Sequence, residues 1–403
     1  MGRPRLLFAW ELGAHFGHVS KMAEIARAVG GRAEIFVAAQ EPASFRALAP
    51  DLPVTLLPAP FSPVRPPETP EDRAISYPDV LRHVGWHEAA PLAALAEAWG
   101  ALFGLVRPDL IVAQAAPTAL LAARAAGLRV ATVGSGYDAP PRAEPMPPFY
   151  FWLEGQAEKA AAREAAVLET ANAALGLRGG TELGVFADLL RGGPFLLSTF
   201  AEIDHYGDRK RFEPDHPPYL GQLVTLDQGA ALDWRKGAAR RVFAYLRPGG
   251  AAFDAGVEAL AARPKEEDVI LAAPGAPAAL KARLEGGPVR LVDGPARLGP
   301  LLEACDLGVS HGSNGVAAAF VLAGVPQVAL PTQSEQVMIA RALGEGGFGL
   351  GLVGRYGARE AGAAIDRVLG SPIPRERAGA LAKRMKGARP AAEAIADALM
   401  EAV

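Results

Sequence analysis

The stretch Asp306-Leu307-Gly308-Val309-Ser310-His311-Gly312-Ser313-Asn314-Gly315-Val316 reads as a short apolar strand that ends in small residues and passes at once into a helical pattern. The helix runs to Ala323, Gly324-Val325-Pro326-Gln327 turns the chain, and a second apolar run, Val328-Ala329-Leu330, closes the unit before Pro331. Strand, helix and strand in that order form the crossover that parallel strands require, so this stretch decides for an α/β fold. The backbone N–H groups of the turn and the positive end of the helix make a cradle for phosphate oxygens, to which His311 can add a donor. Glu335-Gln336 follows the next strand, again on the carboxyl side of the sheet, where polar side chains can meet a sugar's hydroxyls. The spacing matches no Walker loop, and a glycine-rich turn alone is weak evidence.

The same alternation extends in both directions. Leu6–Trp10, Ala33–Ala38, Val54–Leu57, Leu110–Ala113, Val130–Val133 and Phe195–Ser198 are the strand-type runs of the first half. Val242–Leu246, Val269–Ala272, Val289–Val292, Leu307–Ser310 and Val328–Leu330 are those of the second half. Ala-rich stretches of helical period separate them, which predicts two doubly wound parallel sheets. The boundary falls in Asp204 to Lys236, rich in charge, proline and aromatic residues. The expected units are a first domain over 1–218, a linker over 219–237, a second domain over 238–386 and a tail over 387–403. Two proline-dense stretches, Pro58 to Pro78 and Gly134 to Pro148, follow strands and are candidate substrate walls or simply stiffened surface loops.

Composition narrows the function classes. The chain has 403 residues, 41 Lys+Arg against 44 Asp+Glu, and a net charge of −3. That balance argues against a dedicated nucleic-acid binder or a polybasic membrane anchor, and for small-molecule or protein partners. A hydrophobic share of 50% is ample for real cores. Cys305 is the single cysteine, so no internal disulfide forms and a cytoplasmic location is expected. No cluster of His and Cys has zinc-like spacing, so no metal site is expected. Glu11 interrupts the apolar run Leu6 to Trp10, and the expectation is neither a secretion signal nor a transmembrane helix. Peripheral membrane contact and the choice between monomer and homodimer stay open.

Phe8-Ala9-Trp10-Glu11-Leu12-Gly13-Ala14-His15-Phe16-Gly17-His18-Val19 is a second strand, glycine-containing turn and helix. His18 falls at the helix N-terminus, where the dipole disfavours imidazolium and keeps the ring available as a base. A capping or half-buried turn histidine fits the same position. His15 competes with it, and the spacing does not decide.

Gly17-His18-Val19, His311-Gly312-Ser313-Asn314-Gly315, Ala323-Gly324-Val325-Pro326-Gln327 and Glu335-Gln336 resemble the UDP-glycosyltransferase superfamily in its bacterial macrolide and glycopeptide branch. The resemblance implies the GT-B fold, two Rossmann-like domains facing across a cleft, with the acceptor held by the first and the nucleotide sugar by the second. It implies that the tail from Ala391 to Val403 returns to the first domain. It also implies that His18 is the base of an inverting transfer, that His311 to Val316 binds the diphosphate, and that Glu335 and Gln336 hold the donor sugar. No bound metal and no cofactor beyond a UDP- or dTDP-linked sugar are implied. Arg247 stands where relatives carry a small hydroxyl residue near the phosphates. It is either a diphosphate partner or a solvated strand-end arginine.

Three departures accompany the resemblance. Gln114 stands where many relatives have an Asp that orients the catalytic imidazole. Ala319 stands where many have a Glu on the ribose, which favours deoxythymidine donors. The usual nucleobase Trp is not apparent in Val289 to Pro300. A nucleotide-sugar-binding protein that has lost transfer, and a nucleotide-sugar epimerase with Glu11 and Glu335 as its carboxylates, therefore remain as rivals. Elsewhere, His83 and His87 lie at i and i+4 without a third ligand, Trp10, Trp86, Trp99, Trp152 and Trp234 read first as core, and Asp208-Arg209-Lys210-Arg211 reads as a solvated basic loop.

Overall fold

The computed structural model describes residues 2–13, 16–65, 69–224, 229–294 and 296–403; His15 lies outside them. The chain divides into two compact units, Met1–Leu223 with Arg389–Val403, and Val224–Ala388.

The first unit holds β1 (Arg5–Trp10), β2 (Glu34–Ala39), β3 (Thr55–Pro58), β4 (Leu110–Ala113), β5 (Val130–Gly134) and β6 (Phe195–Leu197), in the order β3-β2-β1-β4-β5-β6. All neighbours are parallel, with Phe8 opposite Val37 on one side and Val112 on the other. β1 and β4 are apolar on both faces because helices cover both, and Leu6, Phe8, Trp10, Leu110 and Val112 are all buried. The helix Phe16–Val29 turns Val19, Met22, Ile25 and Ala26 onto the sheet, and the last helix, Ala391–Glu401, adds Ile395, Ala396 and Leu399 to the same core. Arg32 Nη1 pairs with Asp397 over 2.5 Å at the rim of that contact, a partly exposed pair that contributes little.

The second unit holds β7 (Arg241–Tyr245), β8 (Asp268–Ala272), β9 (Val289–Val292), β10 (Leu307–Ser310), β11 (Gln327–Ala329) and β12 (Gly349–Gly351), in the order β12-β11-β10-β7-β8-β9. These pairs are parallel too. β12 carries no β-branched residue, and Gly349 lies so close to β11 that a Cβ on it would sit 1.8 Å from the Gln327 carbonyl oxygen. Glycine is what lets this edge strand pair at all.

Two expectations need correction. The stretch 219–237 is not a separate linker. Leu220 and Leu223 pack on the first core, while Leu232 and Trp234 pack on the second, where the Trp234 indole N–H donates to the Leu301 carbonyl at 3.0 Å. The basic run is not simply a solvated loop, because Arg209 is buried. Its guanidinium meets Asp204 at 3.3 Å and Glu213 at 3.1 Å and donates to the Ala139 carbonyl at 2.9 Å. The proline-dense stretches meet each other, with Ser76 bridged to Pro148 and the Phe149 N–H donating to the Ile75 carbonyl at 2.7 Å. Among the described residues one helix, Ala89–Val106, is long and apolar enough to cross a membrane by length and composition alone, which does not make it a span. One of its faces, with Leu92, Ala96, Trp99 and Phe103, is buried in the first unit.

Candidate active site

Each strand order reverses direction once, between β1 and β4 in the first unit and between β10 and β7 in the second. Loops leaving adjacent strands at such a reversal part to opposite faces of the sheet and open a crevice beyond the carboxyl ends. The candidate residues gather at these two points.

At the first, His18 stands in the opening turn of Phe16–Val29 and Gln114 directly after β4. Gln114 Nε2 lies 2.9 Å from His18 Nδ1. The Trp10 indole stacks on the imidazole, centroids 5.7 Å apart at 21°. Gly13, at φ +95°, crosses so near the ring that a Cβ there would be 2.4 Å from His18 Nε2; only glycine combines that φ with that approach. Ala115, next after Gln114, adopts φ +48° and accepts the Leu12 N–H at 2.9 Å, so a left-handed residue ties the β4 turn to the β1 turn.

The sequence reading missed Asp138. It follows β5, the neighbour of β4, and its Oδ2 lies 3.4 Å from Gln114 Nε2. Its Oδ1 accepts the backbone N–H and the hydroxyl of Ser135 at 2.6 and 2.8 Å. Burial pushes the Asp138 carboxyl up, but Lys21, His18, the Ser135 hydroxyl and His205 more than offset it and hold it below the usual carboxylate range. Only strand adjacency, which topology supplies and spacing does not, could have pointed to it. Glu11, also at this point, accepts from the Thr118 N–H at 2.5 Å and the Trp99 indole at 2.9 Å, yet burial pushes its carboxyl up to about 8.

At the second point, the turn after β10 leads into the helix Asn314–Leu322, capped by Ser313 without a side-chain hydrogen bond. The Gly312 N–H donates to Ser310 Oγ at 3.0 Å. The Asn314 N–H donates to Glu335 Oε1 at 3.3 Å. The Asn314 side chain is buried, with both amide atoms lacking a partner. Such a pair of orphaned polar atoms at a helix N-terminus is costly unless a ligand or solvent satisfies it.

His311 does not add a donor to the turn. Its Nε2 accepts the Arg247 backbone N–H at 3.0 Å, which puts the ring proton on Nδ1, and Nδ1 donates to the Leu330 carbonyl at 2.8 Å. The imidazole thus ties together the ends of β7, β10 and β11. The Arg247 side chain is exposed just beyond its strand. Gln336 is largely committed as well, its Oε1 accepting the Thr332 N–H and hydroxyl at 2.8 and 2.9 Å. Ala319 faces the apolar core beside Phe243, Ile270 and Phe320. His83 and His87 are used locally, on the carbonyls of Asp72 at 2.9 Å and Arg82 at 3.2 Å.

Residues 263–402 match the family model described as the Erythromycin biosynthesis protein CIII-like C-terminal domain. No curated protein sequence matches the chain. Among solved structures, the chain is similar to the glycotransferase of kitacinnamycin, at TM-score 0.71 and 17% identity over 100% of both chains. It is similar to the spinosyn rhamnosyltransferase SpnG complexed with spinosyn aglycone, at TM-score 0.69 and 19% identity over 98% of this chain and 99% of that one. The glycosyltransferase VinC in complex with dTDP follows at TM-score 0.67 and 18% identity, covering 99% of each. Two six-stranded parallel sheets, each flanked by helices, give this chain the GT-B fold of those glycosyltransferases, and its residues 263–402 match the EryCIII-like C-terminal domain model.

Proposed function

We propose that this protein is an inverting glycosyltransferase that moves a hexose or deoxyhexose from a UDP- or dTDP-linked donor to a hydroxyl of a small apolar acceptor. The observation that carries the reading is the His18–Gln114 contact at the β1/β4 reversal of the first unit, a histidine at a helix N-terminus with an amide on its second nitrogen. The β10 turn of the second unit, with its unsatisfied Asn314 side chain, supports it. VinC in complex with dTDP and SpnG with spinosyn aglycone are similar structures whose ligands fit this donor and acceptor class.

In this reading His18 Nε2 takes the acceptor hydroxyl proton as the oxygen attacks the anomeric carbon. The new glycosidic C–O bond forms as the bond to the diphosphate breaks, and the electron pair leaves with the diphosphate. One displacement inverts the anomeric centre. The developing negative charge is met by the N-terminal N–H groups of Asn314–Leu322, the Asn314 amide and the Arg247 guanidinium, without a metal ion. Glu335 and the Gln336 amide serve the sugar hydroxyls. The setting proposed is cytoplasmic.

Thermal unfolding with a panel of UDP and dTDP sugars tests the donor half. A true donor at 100 times its dissociation constant adds about 2.7 kcal/mol of stability, and a panel with no stabilising member would remove the reading. Stabilisation without transfer to any hydroxyl acceptor would favour a nucleotide-sugar binder that has lost its chemistry.

A further inference from the structure

We propose that Asp138 is the carboxylate partner of His18, acting as a positioning residue through the side-chain amide of Gln114. The inference rests on the reading of His18 as base and assigns the negative charge that Gln114 itself cannot supply.

The two contacts share one nitrogen. Gln114 Nε2 lies 2.9 Å from His18 Nδ1 and 3.4 Å from Asp138 Oδ2, so the carboxylate oxygen and the imidazole nitrogen are separated by no more than 2.9 plus 3.4 Å. An opposite charge at such a distance, out of water, favours the imidazolium that forms when the ring takes a proton. Asp138 is built to stay in place. Ser135 grips Oδ1 with two hydrogen bonds, which leaves Oδ2 toward Gln114. The loop is anchored below by buried Arg209, which donates to the Ala139 carbonyl at 2.9 Å.

The amide can serve both states of the ring. An ionised carboxylate accepts only, so Asp138 draws the Gln114 NH2 toward itself, and the second N–H goes to Nδ1 of the resting ring, whose proton is then on Nε2. Nε2 is free to act as the base only in the other neutral tautomer, with the proton on Nδ1, and in that tautomer and in the imidazolium the amide turns Oε1 to Nδ1. Only the 3.4 Å contact, beyond the usual hydrogen-bond range, is given up, and Oε1 has no partner to lose. The cheap half-turn lets the charge stabilisation outweigh the lost contact. Lys21, His205 and Tyr77 also face Asp138, and Lys21 and His205 compete with His18 for its charge.

The test is a titration of His18 by NMR in the full chain, followed by the pH dependence of kcat/KM. Asp138→Asn is expected to lower the His18 pKa by about 1 unit, move the acid limb of kcat/KM down with it, and reduce kcat with little change in donor KM. Asp138→Glu, which restores the charge, should bring the pKa part of the way back. In a Gln114→Leu background the Asp138→Asn shift should shrink, since the amide no longer links the two. A His18 pKa unchanged within 0.2 in Asp138→Asn, or an equal drop in Asp138→Glu, would overturn the proposal. The NMR titration reads the pairing whether or not His18 proves to be the base, so it fails separately from the transfer assay.

Discussion

The backbone N–H of Asn314 donates to the Glu335 carboxylate over 3.3 Å, which places a negative side chain on the helix N-terminus where the diphosphate is proposed to bind. Anion and carboxylate are drawn to the same dipole and the same donors. Glu335→Gln should therefore bind free dTDP or UDP about 3- to 10-fold more tightly, since a charge near a helix end contributes roughly 0.3–1 kcal/mol and like-charge repulsion adds to it. The nucleotide sugar should gain less, or lose affinity, because the carboxylate also serves the sugar hydroxyls. Isothermal titration with both ligands measures the split: equal tightening of both would show that Glu335 does not serve the sugar, and no change in either would show that it touches neither phosphate nor sugar.

His311 is a structural joint in this account. Removing an imidazole that ties three strand ends strands the buried Leu330 carbonyl and the half-buried Arg247 N–H and leaves a void. His311→Ala is expected to cost about 2–4 kcal/mol of stability, read by denaturant unfolding. An unchanged midpoint with a selective loss of nucleotide affinity would instead assign the ring to the ligand.

Glu11 sets a pH dependence of opposite sign to the usual carboxylate. Its burial pushes it from 4.5 up to about 8, so between those values the native chain keeps a proton that the unfolded chain has released. Stability from this group is present in full below about pH 4.5, falls as pH rises toward 8 and levels off above it, at up to about 1.4 kcal/mol per pH unit. Glu11→Gln turns an NH2 toward the donors of Thr118 and Trp99, so it should be less stable than the parent at pH 5. Its stability should nonetheless be flatter from pH 5 to 8. A parent protein whose stability does not fall over that interval would contradict the assignment.

Strand-type runs were legible because both sheets are parallel and covered on both faces, so Leu6–Trp10 or Val242–Leu246 needs no alternation to be recognised. β12 escaped because Gly349-Leu350-Gly351 is chosen for close backbone approach, which hydrophobic pattern does not register. His18 and Gln114 could be nominated from their places after β1 and β4. Asp138 could not, since its link to them exists only once β5 pairs with β4. Ala319 and His311 show what position in a motif leaves out. Position within the motif suggested ligand contact, but the helix Asn314–Leu322 is buried on nearly all sides, and the His311 ring is spent on the backbone. Arg209 shows the same limit, because a run of charge looks solvated until Asp204 and Glu213 fold around it.

In the proposed reaction His18 carries the proton transfer in the first unit and the second unit binds the donor. The most direct measurement compares His18→Ala with the parent protein, following sugar transfer to a hydroxyl acceptor and calorimetric binding of the nucleoside diphosphate in the same preparations. Transfer is expected to fall by about 10²- to 10⁴-fold, with the nucleotide dissociation constant unchanged within a factor of two. Transfer within a factor of two of the parent, with the binding intact, would contradict the account.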